Sequence, residues 1–163
     1  MNFITYGIAA LVPMIIGALW YGPLFGTPWM QQMGFTKESL KGANMLMILV
    51  VSYLFSFMVA LALLPIVNHQ MAIFSTLAGE PGFAAQTGEA FAYAQNFMET
   101  YGDRFRTFKH GALHGVLMGV FLVLPILTIQ AIFERKKVKY IAINAGYWIV
   151  TLAVMGGIVC QWA

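Results

Sequence analysis

Charge is what this sequence has least of. Only 9% of its 163 residues are Asp, Glu, Lys or Arg, against roughly a quarter in a soluble globular domain. Six acids and nine bases cannot hydrate the exterior of a folded chain this long, and 60% of the residues are hydrophobic. Most of the surface must therefore face lipid. Cysteine is nearly missing too: Cys160 alone excludes an internal disulfide and any CxxC metal or redox motif. There is no GxGxxG run, no phosphate loop and no nucleophile with a plausible His and acid partner, so no residue pattern points to an enzyme. The net charge of +3 brings no stripe of bases interleaved with aromatics, which argues against nucleic acid. Four of the nine bases crowd between Glu134 and Lys139 and read as a topology signal instead.

Long apolar runs take the place of charge. A helix crossing the roughly 30 Å hydrocarbon layer needs about 20 residues, and four segments suffice: residues 4–24, 44–67, 111–133 and 140–162. None holds an Asp, Glu, Lys or Arg in its interior, which counts against a proton-driven carrier, since those place a titrating group at mid-membrane depth. The first segment lacks the basic start and small-residue cleavage pattern of a signal peptide, so it is expected to stay as a helix. The predicted fold is all-α, a single polytopic membrane domain over 1–163 with four transmembrane helices. The lipid bilayer is its main partner.

Lys and Arg gather on the cytoplasmic side of spans. Lys37 and Lys41 follow the first span, and Arg135, Lys136, Lys137 and Lys139 follow the third. Only Arg104, Arg106 and Lys109 lie in the connection after the second. Six of the nine bases therefore put both termini and the 68–110 loop outside the cytoplasm. Trp20, Tyr21 and Trp29 cluster where the first span leaves the membrane, as interfacial aromatics do, and Trp162 closes the last span. Tyr147 and Trp148 lie deeper and need partners from another helix for their polar atoms.

Two connections carry pattern. Gly22 to Gly34, with three glycines and two prolines, cannot be one regular helix. It reads as an interfacial turn anchored by Trp29 or as a re-entrant loop. In the 68–110 segment, Glu80-Pro81-Gly82 marks a turn, after which Thr87 is expected to cap a helix with Glu89 in its first turn. Phe91, Ala94, Met98, Tyr101, Phe105, Phe108 and Ala112 then recur every three or four residues. That stripe predicts an amphipathic helix over about 87–108, weakly interrupted at Gly102, leading directly into the third span.

Gly111, Gly115 and Gly119 form a small-xxx-small face, and Gly156 and Gly157 offer a matching surface on the fourth span. Helices in lipid associate largely where small residues let backbones approach. The short connection from Glu134 to Lys139 makes these two spans antiparallel neighbours, so packing within one chain explains the pattern; contact between subunits is the alternative. Inside the spans, Ser52 and Ser56 share a face, and Asn144 and Gln130 are expected to pair across helices.

All three histidines fall at one membrane face. His110 and His114 are four residues apart and share a helix face, so both can point at one ion, as can Glu99 and Asp103 a few turns earlier, which are further candidate ligands. With His69 they form a candidate site for zinc or another divalent metal, whose affinity is expected to fall as pH drops through about 6.5, because only neutral imidazoles ligate. The alternative is that interfacial histidines simply hydrogen-bond to backbone or headgroups. No other cofactor is indicated.

Gly17-Ala18-Leu19-Trp20-Tyr21-Gly22-Pro23-Leu24-Phe25-Gly26, with Trp29 and Gly34-Phe35, resembles the amino-terminal signature of the integral-membrane family called domain of unknown function 1761. Phe133-Glu134-Arg135, Asn144-Ala145-Gly146-Tyr147 and Met155-Gly156 resemble its carboxy-terminal signature. The resemblance implies a compact four-helix membrane protein, mostly of bacteria and hence of the bacterial cytoplasmic membrane, with no agreed activity. Three readings follow: a non-enzymatic scaffold or small subunit, alone, in a homo-oligomer or beside other membrane subunits; a small-solute or ion pathway formed by an oligomer; and a metal-binding membrane protein using the histidine cluster. The first is expected.

Overall fold

The computed structural model describes residues 2–163. Among the described residues there are helices and turns but no strand. The helices are α1 (Phe3–Leu24), α2 (Gly26–Met33), α3 (Met45–Val67), α4 (Met71–Leu77), α5 (Gly88–Tyr101), α6 (Phe108–Phe133) and α7 (Val138–Trp162). Four of them, α1, α3, α6 and α7, are long and apolar enough to cross a membrane, and the chain is a four-helix membrane protein.

Helix α7 is the hub. Half of its most apolar stretch is buried, against 11% for α6, because α7 packs on α1, α3 and α6 while α6 gives mainly one face to α7. The core joins Tyr6, Ala9 and Val12 of α1 to Ala60, Leu63, Leu64 and Val67 of α3 and to Leu152, Met155, Val159 and Cys160 of α7. The Thr5 hydroxyl donates to the Trp162 carbonyl at 3.0 Å, so both chain ends lie at one end of the bundle, here called the histidine end.

The glycine face lies against α7. A Cβ added at Gly111 would strike the Gly156 carbonyl, one at Gly115 the Leu152 carbonyl, and one at Gly119 would stand 2.7 Å from the Ile149 Cα. Gly157 makes room for the Phe108 ring, which lies 2.6 Å from where its Cβ would be. The two backbones touch, a contact only glycine allows and a main source of helix association in lipid.

Proline and glycine shape the other spans. Trp20–Leu24 of α1 winds as a π-helix and bends at Gly22, whose φ of −96° and ψ of −106° are not helical. Pro23 follows it and cannot donate an N–H to the preceding turn. A second π-helical turn, Gly119–Val123, interrupts α6 just before Pro125. Gly22 to Gly34 is thus a bend followed by a short helix, ended by Gly34 at φ +73°. Helix α3 is packed only at its carboxy-terminal half: Ala60, Leu63, Leu64 and Val67 are buried, while Met45 to Val51 are all exposed. It splays away from α1 and α7 at the end opposite the histidines.

The stripe expected over 87–108 is broken. Helix α5 ends at Tyr101, and Gly102 to Thr107 turns back on itself with Phe105 at φ +64° before α6 begins at Phe108. Spacing alone hid this break, because residues on either side keep the same apolar alternation. Thr87 sits at the N-cap position of α5, but its hydroxyl donates to the Gly82 carbonyl at 3.3 Å and caps nothing. Gln130 does not reach another helix either; its amide donates to Glu134 one turn on, at 2.9 Å.

Candidate metal centre

The three histidines meet where the end of α3 touches the start of α6. Helix α3 stops at Val67, and Asn68, in a non-helical conformation, turns the chain so that His69 follows immediately. Helix α6 starts one turn earlier than its apolar run suggests, because the Thr107 hydroxyl accepts from the His110 N–H at 3.3 Å and caps it. His110 therefore stands in the first turn with His114 one turn further along the same face. One ligand nitrogen from each of His69, His110 and His114 lies within 4.8 Å of the other two. The ring centroids are 5.1, 4.7 and 4.6 Å apart.

Around tetrahedral zinc, nitrogens bound at about 2.0–2.1 Å are roughly 3.4 Å apart. Closing from this spacing asks each ring to move by about an ångström or less, within reach of small χ adjustments. The buried Nε2 of His110 has no hydrogen-bond partner. A buried polar atom normally has one, and this nitrogen is one of four described side-chain atoms that do not. Three neutral imidazoles suit zinc, cobalt, copper or nickel and leave at least one coordination position open.

Several contacts hold the arrangement. The Gln70 amide nitrogen donates to the Tyr101 carbonyl at 3.1 Å and the Arg104 carbonyl at 2.6 Å, tying the His69 segment to the turn before α6. Buried Cys160 of α7 places Sγ 3.4 Å from both the Val67 and Phe105 carbonyls. The Phe105 ring stacks on His110, with centroids 5.2 Å apart and planes 22° from parallel. Its left-handed backbone costs a bulky residue roughly 1–2 kcal/mol, so the turn is kept by its contacts. Beside His69 a cavity of about 340 Å³ is lined by Gln70, Phe97, Tyr101, Arg104 and Phe105.

The two carboxylates stay out. Glu99 accepts from Gln95 within α5 at 3.3 Å, and the convergent group consists of histidines alone. Glu99 and Asp103 would share the histidine face only on a helix continuous from 87 into the third span, and the turn after Tyr101 removes that continuity. Sequence reasoning also missed Gln70, Arg104 and the stacking role of Phe105. A positive φ at phenylalanine leaves no pattern to read.

At the other end, the Trp20 indole donates to the Ile143 carbonyl at 3.0 Å, and the Tyr21 hydroxyl donates to Asn144 Oδ1 at 2.9 Å. The Asn144 amide in turn donates to Tyr140, and the Tyr147 hydroxyl donates to the Pro13 carbonyl at 2.9 Å. Gly146 faces the Trp20 ring and Gly17 the Tyr147 ring. Tyr21 and Tyr147, with Trp29, also line a largely apolar cleft of about 760 Å³ under the splayed half of α3, whose lining on the α3 side includes Ser52 and Ser56.

No curated protein and no solved structure matches the chain. The sequence signatures near Trp20 and Asn144 are thus the two sides of one contact between α1 and α7. Residues 4–160 match the family model described as "Protein of unknown function (DUF1761)", and the chain belongs to that family.

Proposed function

We propose that this membrane protein binds one divalent transition metal through His69, His110 and His114 and acts as a non-enzymatic membrane subunit built around that ion. The observation that carries the reading is the convergence of three imidazole nitrogens, one from the turn after α3 and two from α6, within 4.8 Å of one another, beside a buried His110 Nε2 that has no partner. Histidines that only served the interface would spread toward headgroups and water. Here they crowd together against their own neighbours, which costs free energy when any of them is protonated and becomes favourable when a cation is shared.

The test is elemental analysis of the detergent-purified protein. The intact chain is expected to carry about one metal ion per polypeptide, and His110→Ala with His114→Ala to carry none. Absence of metal after incubation with zinc, cobalt, nickel or copper, or retention by the double variant, would overturn the reading.

The base distribution supports placing the histidine end and both termini outside the cytoplasm, in the cytoplasmic membrane if the host is bacterial. Single cysteines at Ser75 and Lys136 in a Cys160→Ala background are expected to label oppositely with an impermeant thiol reagent in intact cells, Ser75 readily and Lys136 only after permeabilisation. Labelling of Lys136 without permeabilisation would reverse the orientation.

A further inference from the structure

We infer that the metal keeps one coordination position toward the cavity beside His69 and takes there the carboxylate of a small organic acid, whose second oxygen pairs with Arg104. This rests on the metal reading above and goes beyond it by naming the ligand class. His69 is the exposed member of the trio and the one that lines the cavity; His110 and His114 are half-buried. The trio is therefore open on the His69 side, where the cavity lies.

Charge selects an anion. The three ligands are neutral and no carboxylate joins them, so a bound divalent ion keeps its full charge, and Arg104 adds another positive charge at the cavity wall. The amide nitrogen of Gln70, the other polar lining side chain besides Tyr101 and His69, is already engaged with two carbonyls. Arg104 lies against aromatic faces, its guanidinium carbon 5.7 Å from the Tyr101 ring centroid and 5.4 Å from that of Phe105. A guanidinium held near aromatic rings still has N–H groups free to fork onto a carboxylate.

Shape selects an organic acid over a bare inorganic anion. About 340 Å³ is at the small end of the range for ligand pockets. The ring faces of Phe97, Tyr101 and Phe105 supply aromatic wall that gives a phosphate or chloride nothing to bind, while the body of a small acid would bury apolar surface there.

The test uses the full chain in detergent, loaded with cobalt(II), whose visible bands report coordination directly. Benzoate is expected to shift those bands saturably and to bind at least about tenfold more tightly than acetate, because only benzoate fills the aromatic wall. Arg104→Gln should weaken benzoate by about tenfold or more, as for a lost charge-assisted pair, while leaving cobalt affinity unchanged. Lys109→Gln, which removes the same charge away from the cavity lining, should leave both unchanged. Bands that do not respond to benzoate, inorganic phosphate binding more tightly than benzoate, or equal benzoate affinity in Arg104→Gln would each overturn the inference with the metal reading intact. Failure of cobalt to bind at all would remove the metal reading itself.

Discussion

The two ends of the bundle solve the same problem in opposite ways. Each brings polar and aromatic side chains together between helices near a membrane boundary. At the aromatic end the set is closed: Trp20, Tyr21, Asn144 and Tyr147 each donate to an acceptor supplied by the chain. At the histidine end it is open. Of the described buried side-chain atoms without a partner, His110 Nε2 and Asn68 Oδ1 belong to this end, Tyr6 Oη lies in the first turn of α1 beside it, and Thr151 Oγ1 lies midway along α7. Thr151 is one turn from Tyr147, but none of the four atoms belongs to Trp20, Tyr21, Asn144 or Tyr147 themselves. A closed polar cluster is complete as a structural joint; an open one, built around three metal-ligating side chains, is where a ligand from outside fits.

The joint between α6 and α7 underlies both ends, and breaking it should have the largest effect. Gly115→Ile forces a branched side chain into the Leu152 carbonyl and the Ala153 backbone. Overpacking costs about 1 to 3 kcal/mol and occasionally more, and a backbone obstacle puts this site at the upper end. A large drop in detergent thermal stability is expected, whereas Leu122→Val, an exposed position on the same span, should stay within about 0.5 kcal/mol. Equal behaviour of the two variants would mean that the backbones do not touch.

A smaller effect is expected at the closed end. Tyr21→Phe keeps the ring against Trp29 and Tyr147 but leaves Asn144 Oδ1 without its donor, a loss of about 1 kcal/mol for a part-buried bond. The fall in melting temperature should be the same with and without added zinc, because this end is complete without a metal. A zinc-dependent difference would show that the two ends are coupled and that the contrast between them is wrong.

How much of this was legible follows the same contrast. The spans could be read from residue type alone, since each needs only an uninterrupted apolar run. The glycine face was legible because close backbone approach leaves a spacing of four, and Gly111, Gly115 and Gly119 keep it. That His110 and His114 share a face follows from helix geometry. The rest depended on backbone conformation. Nothing in the apolar alternation from Phe91 to Ala112 announces that Phe105 adopts φ +64°, and that one turn separates Glu99 and Asp103 from the histidines while bringing Arg104 beside His69. Tyr21 and Asn144 are more than a hundred residues apart in the chain, so their pairing shows only once α1 and α7 are neighbours.

The most direct test of a joint metal site is zinc titration calorimetry on chelator-stripped protein, comparing the parent chain with His69→Ala. His69 comes from the end of α3, so its loss leaves the His110 and His114 pair on α6 untouched. Loss of an outer-shell partner alone typically weakens metal binding by 10 to 100-fold, and loss of a direct ligand should cost at least about as much. One zinc per chain is expected in the parent, with Kd raised by about 100-fold or more in His69→Ala and with no change in the melting temperature of the metal-free protein. Equal zinc affinity in the two proteins would contradict a site shared between the two spans.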